Sequence, residues 1–235
     1  MSIGIVLCTY KRRNLREQLA AIKAQTVAPG PVVCWRNDSW PDDVFEQLSG
    51  LDYVRASKNM GVWPRFLLGA TLDVKYVAVF DDDTIPGTRW LENCQASYES
   101  RPGLYGTNGI RFKSHSYRSS KAIGWKSRNS EIEEVDLVGH AWFMPRELCH
   151  RIYDVRNVCP IAGEDMALSF IAQRMGLATL VPPHPSSDQS LWGSTRGMEL
   201  GRDGNGISSK SENWKSFQSE LYRLRSCGWR LLCDG

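Results

Sequence analysis

Asp81, Asp82 and Asp83 stand in a row behind Val77-Ala78-Val79-Phe80, an apolar run with the residue types of a buried strand. Three adjacent carboxylates repel one another unless a cation sits among them. Asp81 and Asp83, two residues apart, can point the same way and offer hard oxygen ligands to Mg²⁺ or Mn²⁺, which would in turn neutralise a diphosphate. The plainer reading is a solvated aspartate turn that caps the next helix. A second acidic pair, Glu164-Asp165, follows Gly163 and precedes Met166, Leu168, Phe170 and Ile171, an apolar pattern of helical period. Acids at a helix start suit the positive end of its dipole and need no further role. Beside a diphosphate they have one: a carboxylate there can take the proton of an attacking hydroxyl, or stabilise positive charge at the carbon under attack.

Such groups need strands that deliver them to one rim. The first 80 residues alternate short strand-like runs with helical patterns, the order that builds a parallel sheet covered by helices. Ile3 to Leu7, Val32 to Trp35, Tyr53 to Ala56 and Tyr76 to Phe80 read as strands. Helices are expected from Asn14 to about Gln25, where Leu15, Leu19 and Ile22 share a face, from Asp42 to Leu48 and from Trp63 to Ala70. Open α/β sheets bind ligands beyond the carboxyl ends of their strands, so Thr9-Tyr10, Asn37-Asp38 and the three aspartates are expected along one rim. Past Pro86-Gly87 the pattern predicts a helix from Trp90 to Ser100, a strand from Leu137 to Met144, a helix from Met166 to Arg174, a strand from Ala178 to Val181 and a closing amphipathic helix from Trp214 to Arg225. Ser186 to about Gly206, rich in Gly, Ser and Asp, is expected to be a mobile loop.

Between Leu104 and Ser130 the chain has no acid and six bases, Arg111, Lys113, Arg118, Lys121, Lys126 and Arg128, interleaved with Phe112, Tyr117 and Trp125. Positive charge among flat rings suits a polyanion with stackable groups, whereas the bland reading is a solvated charged face. The net charge of the whole chain is only +3, so this clustering carries the electrostatic argument rather than the total. With 42% hydrophobic and 23% charged residues, the chain is globular rather than disordered. Its seven cysteines form no C-x-x-C pair, which argues against a zinc cluster or a disulfide framework and fits a reducing compartment. No run approaches the ~18 apolar residues of a membrane span, and the N-terminus lacks the charged lead of a signal sequence, so a cytoplasmic protein without a membrane span is expected. The turn after the first strand carries neither G-x-G-x-x-G nor G-x-x-x-x-G-K, which argues against dinucleotide oxidoreductases and P-loop kinases.

The order Leu7-Cys8-Thr9-Tyr10-Lys11-Arg12, Trp35-Arg36-Asn37-Asp38, Lys58-Asn59-Met60-Gly61, Phe80-Asp81-Asp82-Asp83-Thr84 and Gly163-Glu164-Asp165-Met166 resembles the GT-A fold glycosyltransferases. It is most similar to the exostosin-like N-acetylhexosaminyltransferases and nearly as similar to the inverting family of chitin and cellulose synthases, over roughly residues 3 to 185. The resemblance implies an α/β, Rossmann-like, mostly parallel sheet flanked by helices in a single domain. Residues 1–87 would bind a nucleotide-sugar donor, such as a UDP-sugar, residues 88–185 the acceptor, and residues 186–235 would supply a lid and a C-terminal helix. Thr9, Tyr10 and Arg12 would contact the nucleotide, Asn37 or Asp38 the base, and Asp81 the ribose, with Asn59, Arg65 and Asp82 on the same side. Asp83 would hold Mn²⁺ or Mg²⁺, with Asp81 and with His184 as a third ligand. Asp165, with Glu164, would act on the acceptor hydroxyl in an inverting enzyme or beneath the sugar in a retaining one; both outcomes stay open. Gly139, His140 and Trp142 would lie at the acceptor site, and Arg111 and Lys113 would draw an anionic acceptor, a modified DNA, or bind a saccharide. Ser190 to Gly197 would close over the donor, Arg196 on the diphosphate and Trp192 excluding water. A nucleotidylyltransferase would need a glycine-rich loop after the first strand, and a non-catalytic nucleic-acid or glycan-binding module would need neither the three aspartates nor Glu164-Asp165.

Overall fold

A computed structural model describes residues 2–10, 14–37, 48, 51–125, 127–154, 163–200 and 213–235. In the N-terminal half, β1 (Ile3–Thr9), α1 (Leu15–Lys23), β2 (Val32–Arg36), β3 (Asp52–Arg55), α2 (Pro64–Ala70) and β4 (Tyr76–Phe80) follow one another. The strands lie side by side as β3-β2-β1-β4, all parallel. Parallel neighbours need crossovers; α1 supplies the one from β1 to β2 and α2 leads from β3 into β4, so that β1 and β4, buried almost throughout, are covered on both faces. Along β4 the alternation is strict: Val77 and Val79 join the core beneath α2, while Ala78 and Phe80 join the core beneath α1. α1 buries Leu15, Gln18, Leu19 and Ile22 as one stripe. α2 opens with Pro64, whose missing N–H costs nothing in the first turn.

The second half extends the same sheet with α3 (Trp90–Ser100), β5 (Gly103–Phe112), β6 (Ser120–Gly124), β7 (Glu133–Glu134), β8 (Leu137–Pro145), α4 (Arg146–His150), α5 (Glu164–Arg174), β9 (Ala178–Val181), α6 (Gly197–Leu200) and α7 (Trp214–Ser226). The order continues β4-β8-β5-β9-β7, with β6 paired to β5. β8 runs antiparallel between β4 and β5, and β9 is parallel to β5. The result is one mixed sheet of nine strands among the described residues, continuous across the expected donor and acceptor halves. The expected helix from Asp42 to Leu48 falls, except for Leu48, outside the described residues, as does residue 126 of the basic stretch. No described helix is long and apolar enough to cross a membrane.

The stretch from Leu104 to Ser130, read as a basic and aromatic segment, is mostly strand. β5 and β6 pair as a hairpin that sets Arg111 opposite Lys121. Its rings do not form a stacking surface. Phe112 and Trp125 are buried, and Tyr117 stacks on Phe217 of α7 at 5.0 Å. The segment after β9 also differs from the expected mobile loop over residues 186–200, while 201–206 lie outside the described residues. Gly87 N–H donates to the Trp192 carbonyl at 2.8 Å, Arg89 N–H to Ser190 at 2.8 Å, and Thr195 N–H to Ile85 at 2.8 Å. Trp192 is buried, donates through its indole to the Pro185 carbonyl and lies under the Arg128 guanidinium at 3.7 Å. Backbone pairing with 85–89 thus fixes residues 190–195 against the strand-to-helix turn; the Gly and Ser content that suggested mobility instead permits close packing.

Candidate active site

β1 and β4 run level, Leu7 beside Phe80, so both end at one rim and Tyr10 arrives next to the aspartates. The Tyr10 N–H donates to Asp82 Oδ2 at 3.0 Å. From α1, Asn14 donates to the Asp82 carbonyl at 3.0 Å and Gln18 to the carbonyls of Asp81 and Thr84 at 2.7 and 2.8 Å. The aspartate turn is therefore built by α1 as much as by β4. Gln18 went unnoticed in the sequence, although a glutamine inside the apolar stripe of Leu15, Leu19 and Ile22 was the available signal.

Asp81 and Asp83 face away from this scaffold. Their carboxylate oxygens and a ring nitrogen of His140 lie within 4.8 Å of one another. His140 Nδ1 stands 3.8 Å from Asp83 Oδ1. Two carboxylates and an imidazole are a donor set suited to Mn²⁺ or a similar divalent ion, so these residues fit the expected metal. His140 sits at the bulge of β8 with φ of 69°, a region few residues other than glycine enter. Its carbonyl accepts the Asp81 N–H at 3.0 Å and the Thr84 hydroxyl at 2.8 Å, and its ring rests edge-on against Trp125. The bulge thus joins β8 to the aspartate turn and aims the imidazole at Asp83, beside the two carboxylates.

The expected third ligand, His184, is not part of this cluster. It is fully buried, Nδ1 2.9 Å from the Pro182 carbonyl and Nε2 2.9 Å from the Thr107 hydroxyl, with the Gly193 N–H also on Nε2. Burial pushes its pKa down to about 4, so it stays neutral and holds the loop after β9.

Arg65, from α2, links the two acidic groups. Nη1 lies 3.0 Å from Asp81 Oδ1 and Nη2 2.9 Å from Glu164 Oε1. Its guanidinium stacks 5.0 Å from the centroids of Phe66 and Trp142, which keep it dry. Trp142 is wholly buried and donates to the Val138 carbonyl, so it supports Arg65 rather than lining an acceptor site. Burial, offset by Arg65 and reinforced by Asp83, pushes the Asp81 carboxyl up to about 7. Burial together with Glu164 and Asp81, against Arg65, holds Asp165 well above the usual carboxylate range. One cation therefore shares three carboxylates in a dry pocket.

Glu164 and Asp165 open α5 behind Gly163, which adopts φ of 90°. Asp165 Oδ1 is buried and accepts no hydrogen bond from the described residues. Gly139 of β8 is buried directly against it: a Cβ there would stand 3.0 Å from Asp165 Oδ2. Both acids lie in the first turn of α5, where Glu164 gives Oε1 to Arg65.

Other expected donor contacts are engaged within the protein. Asn37 spends its amide on Asn59 Oδ1, the Gly61 carbonyl and the Met60 N–H, at 2.8, 3.0 and 2.8 Å, which clamps the turn at Asn59. Thr9 is buried at the strand end. Arg196 bonds Glu17 of α1 at 2.6 Å and pairs with Glu199, fastening the later loop to α1. Arg111 bonds Glu133 at 2.9 Å, while Lys113 is exposed. Arg12 and Asp38 lie outside the described residues.

No family model matches the chain, and no curated protein sequence matches it. Solved structures do. One, residues 1–349 of Staphylococcus aureus TarS in complex with UDP-GlcNAc, aligns with a TM-score of 0.67 at 15% identity, over 100% of this chain and 69% of that one. Another, GalNAc-T7 with UDP, GalNAc and Mn²⁺, aligns with a TM-score of 0.60 at 11% identity, over 96% of this chain and 54% of that one, so this chain spans about half of its length. With the sheet order, the aspartate turn at the end of β4 and the acidic pair opening α5, the likeness identifies a single-domain α/β protein of the GT-A glycosyltransferase fold.

Proposed function

We propose that the chain transfers a sugar from a uridine diphosphate sugar to an acceptor hydroxyl, with inversion at the anomeric carbon and Asp165 as the general base. The observation that carries this reading is Asp165, whose buried Oδ1 has no described partner, lying directly against Gly139 of β8 and linked through Glu164 and Arg65 to the aspartate turn. The two aligned structures, one with UDP-GlcNAc and one with UDP, GalNAc and Mn²⁺, support a donor of this class. Asp81, Asp83 and His140 would hold Mn²⁺ or Mg²⁺, which when bound neutralises the leaving diphosphate. Asp165 takes the acceptor proton as the acceptor oxygen bonds to the anomeric carbon and the bond from that carbon to the β-phosphate oxygen breaks. Its buried Oδ1 accepts no hydrogen bond from the described residues and is open to take that proton. Arg65 keeps Asp81 and Glu164 in place without itself reaching solvent. The test is UDP release from a panel of UDP-sugars with and without Mn²⁺, then NMR of the anomeric configuration in the product. Turnover in excess chelator would remove the metal, and a retained configuration would remove the base role of Asp165.

A further inference from the structure

Asn108 takes no part in the site described so far, yet its position in the sheet directs it there. It pairs directly with Gly139 across β5 and β8. Opposed residues of an antiparallel pair lie about 5 Å apart and leave the sheet on the same face. On that face Asp165 Oδ2 lies 3.0 Å from where a Gly139 Cβ would stand. The preceding residue, Thr107, faces the other way, its hydroxyl on His184 and its Cβ against Gly193, as alternation along β5 requires. Asn108 is only 7% exposed, and its Oδ1 is buried without a hydrogen-bond partner among the described residues. An unpaired buried amide oxygen is costly, and a leucine would fill the same space without that cost. The neighbouring Asp165 Oδ1 is in the same condition.

Resting on the transferase reading above, we infer that Asn108 and Asp165 form a two-point hydroxyl site, and that the acceptor is a saccharide presenting two neighbouring hydroxyls across Gly139. One hydroxyl donates its proton to Asp165 Oδ1 and its oxygen forms the new bond to the anomeric carbon as the diphosphate leaves. The adjacent hydroxyl bonds the Asn108 amide, which fixes which oxygen reacts. A hydroxyl both donates and accepts, so either end of the amide serves. A single hydroxymethyl group on a nucleobase would answer Asp165 and leave the Asn108 amide unanswered. Asn108 is thus a specificity residue for the acceptor.

The experiment measures acceptor-stimulated UDP release with UDP-GlcNAc and Mn²⁺ over methyl pyranosides, each compared with its monodeoxy analogues, with benzyl alcohol and with hydroxymethylated duplex DNA. The wild-type chain is expected to prefer one vicinal diol over the corresponding deoxy sugar by roughly 10-fold or more in kcat/KM, and Asn108→Leu to erase that preference. In amide-detected NMR, the Asn108 side-chain resonance, identified by its loss in Asn108→Leu, shifts on addition of the preferred pyranoside. UDP release with equal response to diol and deoxy sugars, an undiminished preference in Asn108→Leu, or stimulation by the DNA alone would overturn this assignment and leave the transferase reading standing. Failure of the wild type to release UDP from every donor of the UDP-sugar panel used to test the transferase reading would overturn both.

Discussion

The site is decided at Gly139, Asp165 and Arg65. A methyl group at Gly139 would press on Asp165 Oδ2 at 3.0 Å and Cγ at 3.3 Å, contacts with a side chain that can shift rather than with backbone. Gly139→Ala is therefore expected to fold and to lose sugar transfer by ~10²-fold, since small misplacement of a reacting group costs that much. Circular dichroism and steady-state turnover together check it; full activity would show that Asp165 does not act from this position. Arg65 has a different exposure to risk, because Asp81, Glu164 and Asp165 share its charge in a dry pocket. Arg65→Met should destabilise the fold by about 3–5 kcal/mol, the cost of breaking a buried ion pair from one side. Urea denaturation reads this directly. The carboxylates were visible in the sequence by type and spacing. Gln18 and Asn108 were not, and His140 was named without its place beside Asp83, because each owes its position to a neighbour more than 30 residues away.

Among the elements, β5 was the least legible. Gly103, Gly106 and Gly109 dilute its strand character, yet each lies where a Cβ would stand under 3 Å from Ala178, Val138 or Val181 respectively. The loop after β9 was misread for a related reason. Gly193 sits where a Cβ would be 2.4 Å from Thr107 Cβ, with no room for adjustment in a bulged strand. Gly193→Ala should release residues 186–196, seen as faster amide exchange there with β1 and β4 still protected. His184 holds the same loop and supplies a pH signature. Its folded pKa of about 4 lies below the ordinary 6.5, so between those values the unfolded chain binds more protons. Stability from His184 is complete above about pH 6.5 and falls by about 3 kcal/mol as pH drops toward 4. The Tm difference between wild type and His184→Gln, followed over that range, should shrink as the pH is lowered; a constant difference would refute the buried neutral ring.

At the scale of the whole molecule, the charge cluster on β5 and β6 reads as solvated surface. Arg111 pairs with Glu133, Arg118 lies 4.7 Å over Trp214, and the intervening rings are buried or stacked on α7. Changing Arg111, Lys113, Arg118 and Lys121 together to glutamine should leave transfer to a neutral pyranoside intact, because none of the four touches the Asp81, Arg65 and Asp165 cluster. Surface ion pairs are worth little, so stability should change by about 1 kcal/mol or less per pair lost. A large fall in kcat/KM for the neutral acceptor would restore the stretch to the site. By itself, the sequence determined the alternating α/β order, the strand that ends in three aspartates and the helix that opens with Glu164-Asp165, because period, apolar runs and acidic clusters are local properties. Only the tertiary structure decided that β8 inserts antiparallel beside β4, that Arg65 joins the two acidic groups, that His140 rather than His184 meets Asp83, and that the expected lid is packed down. Each of these depends on strand register and on close approach between distant glycines and their neighbours, which spacing along one chain does not encode.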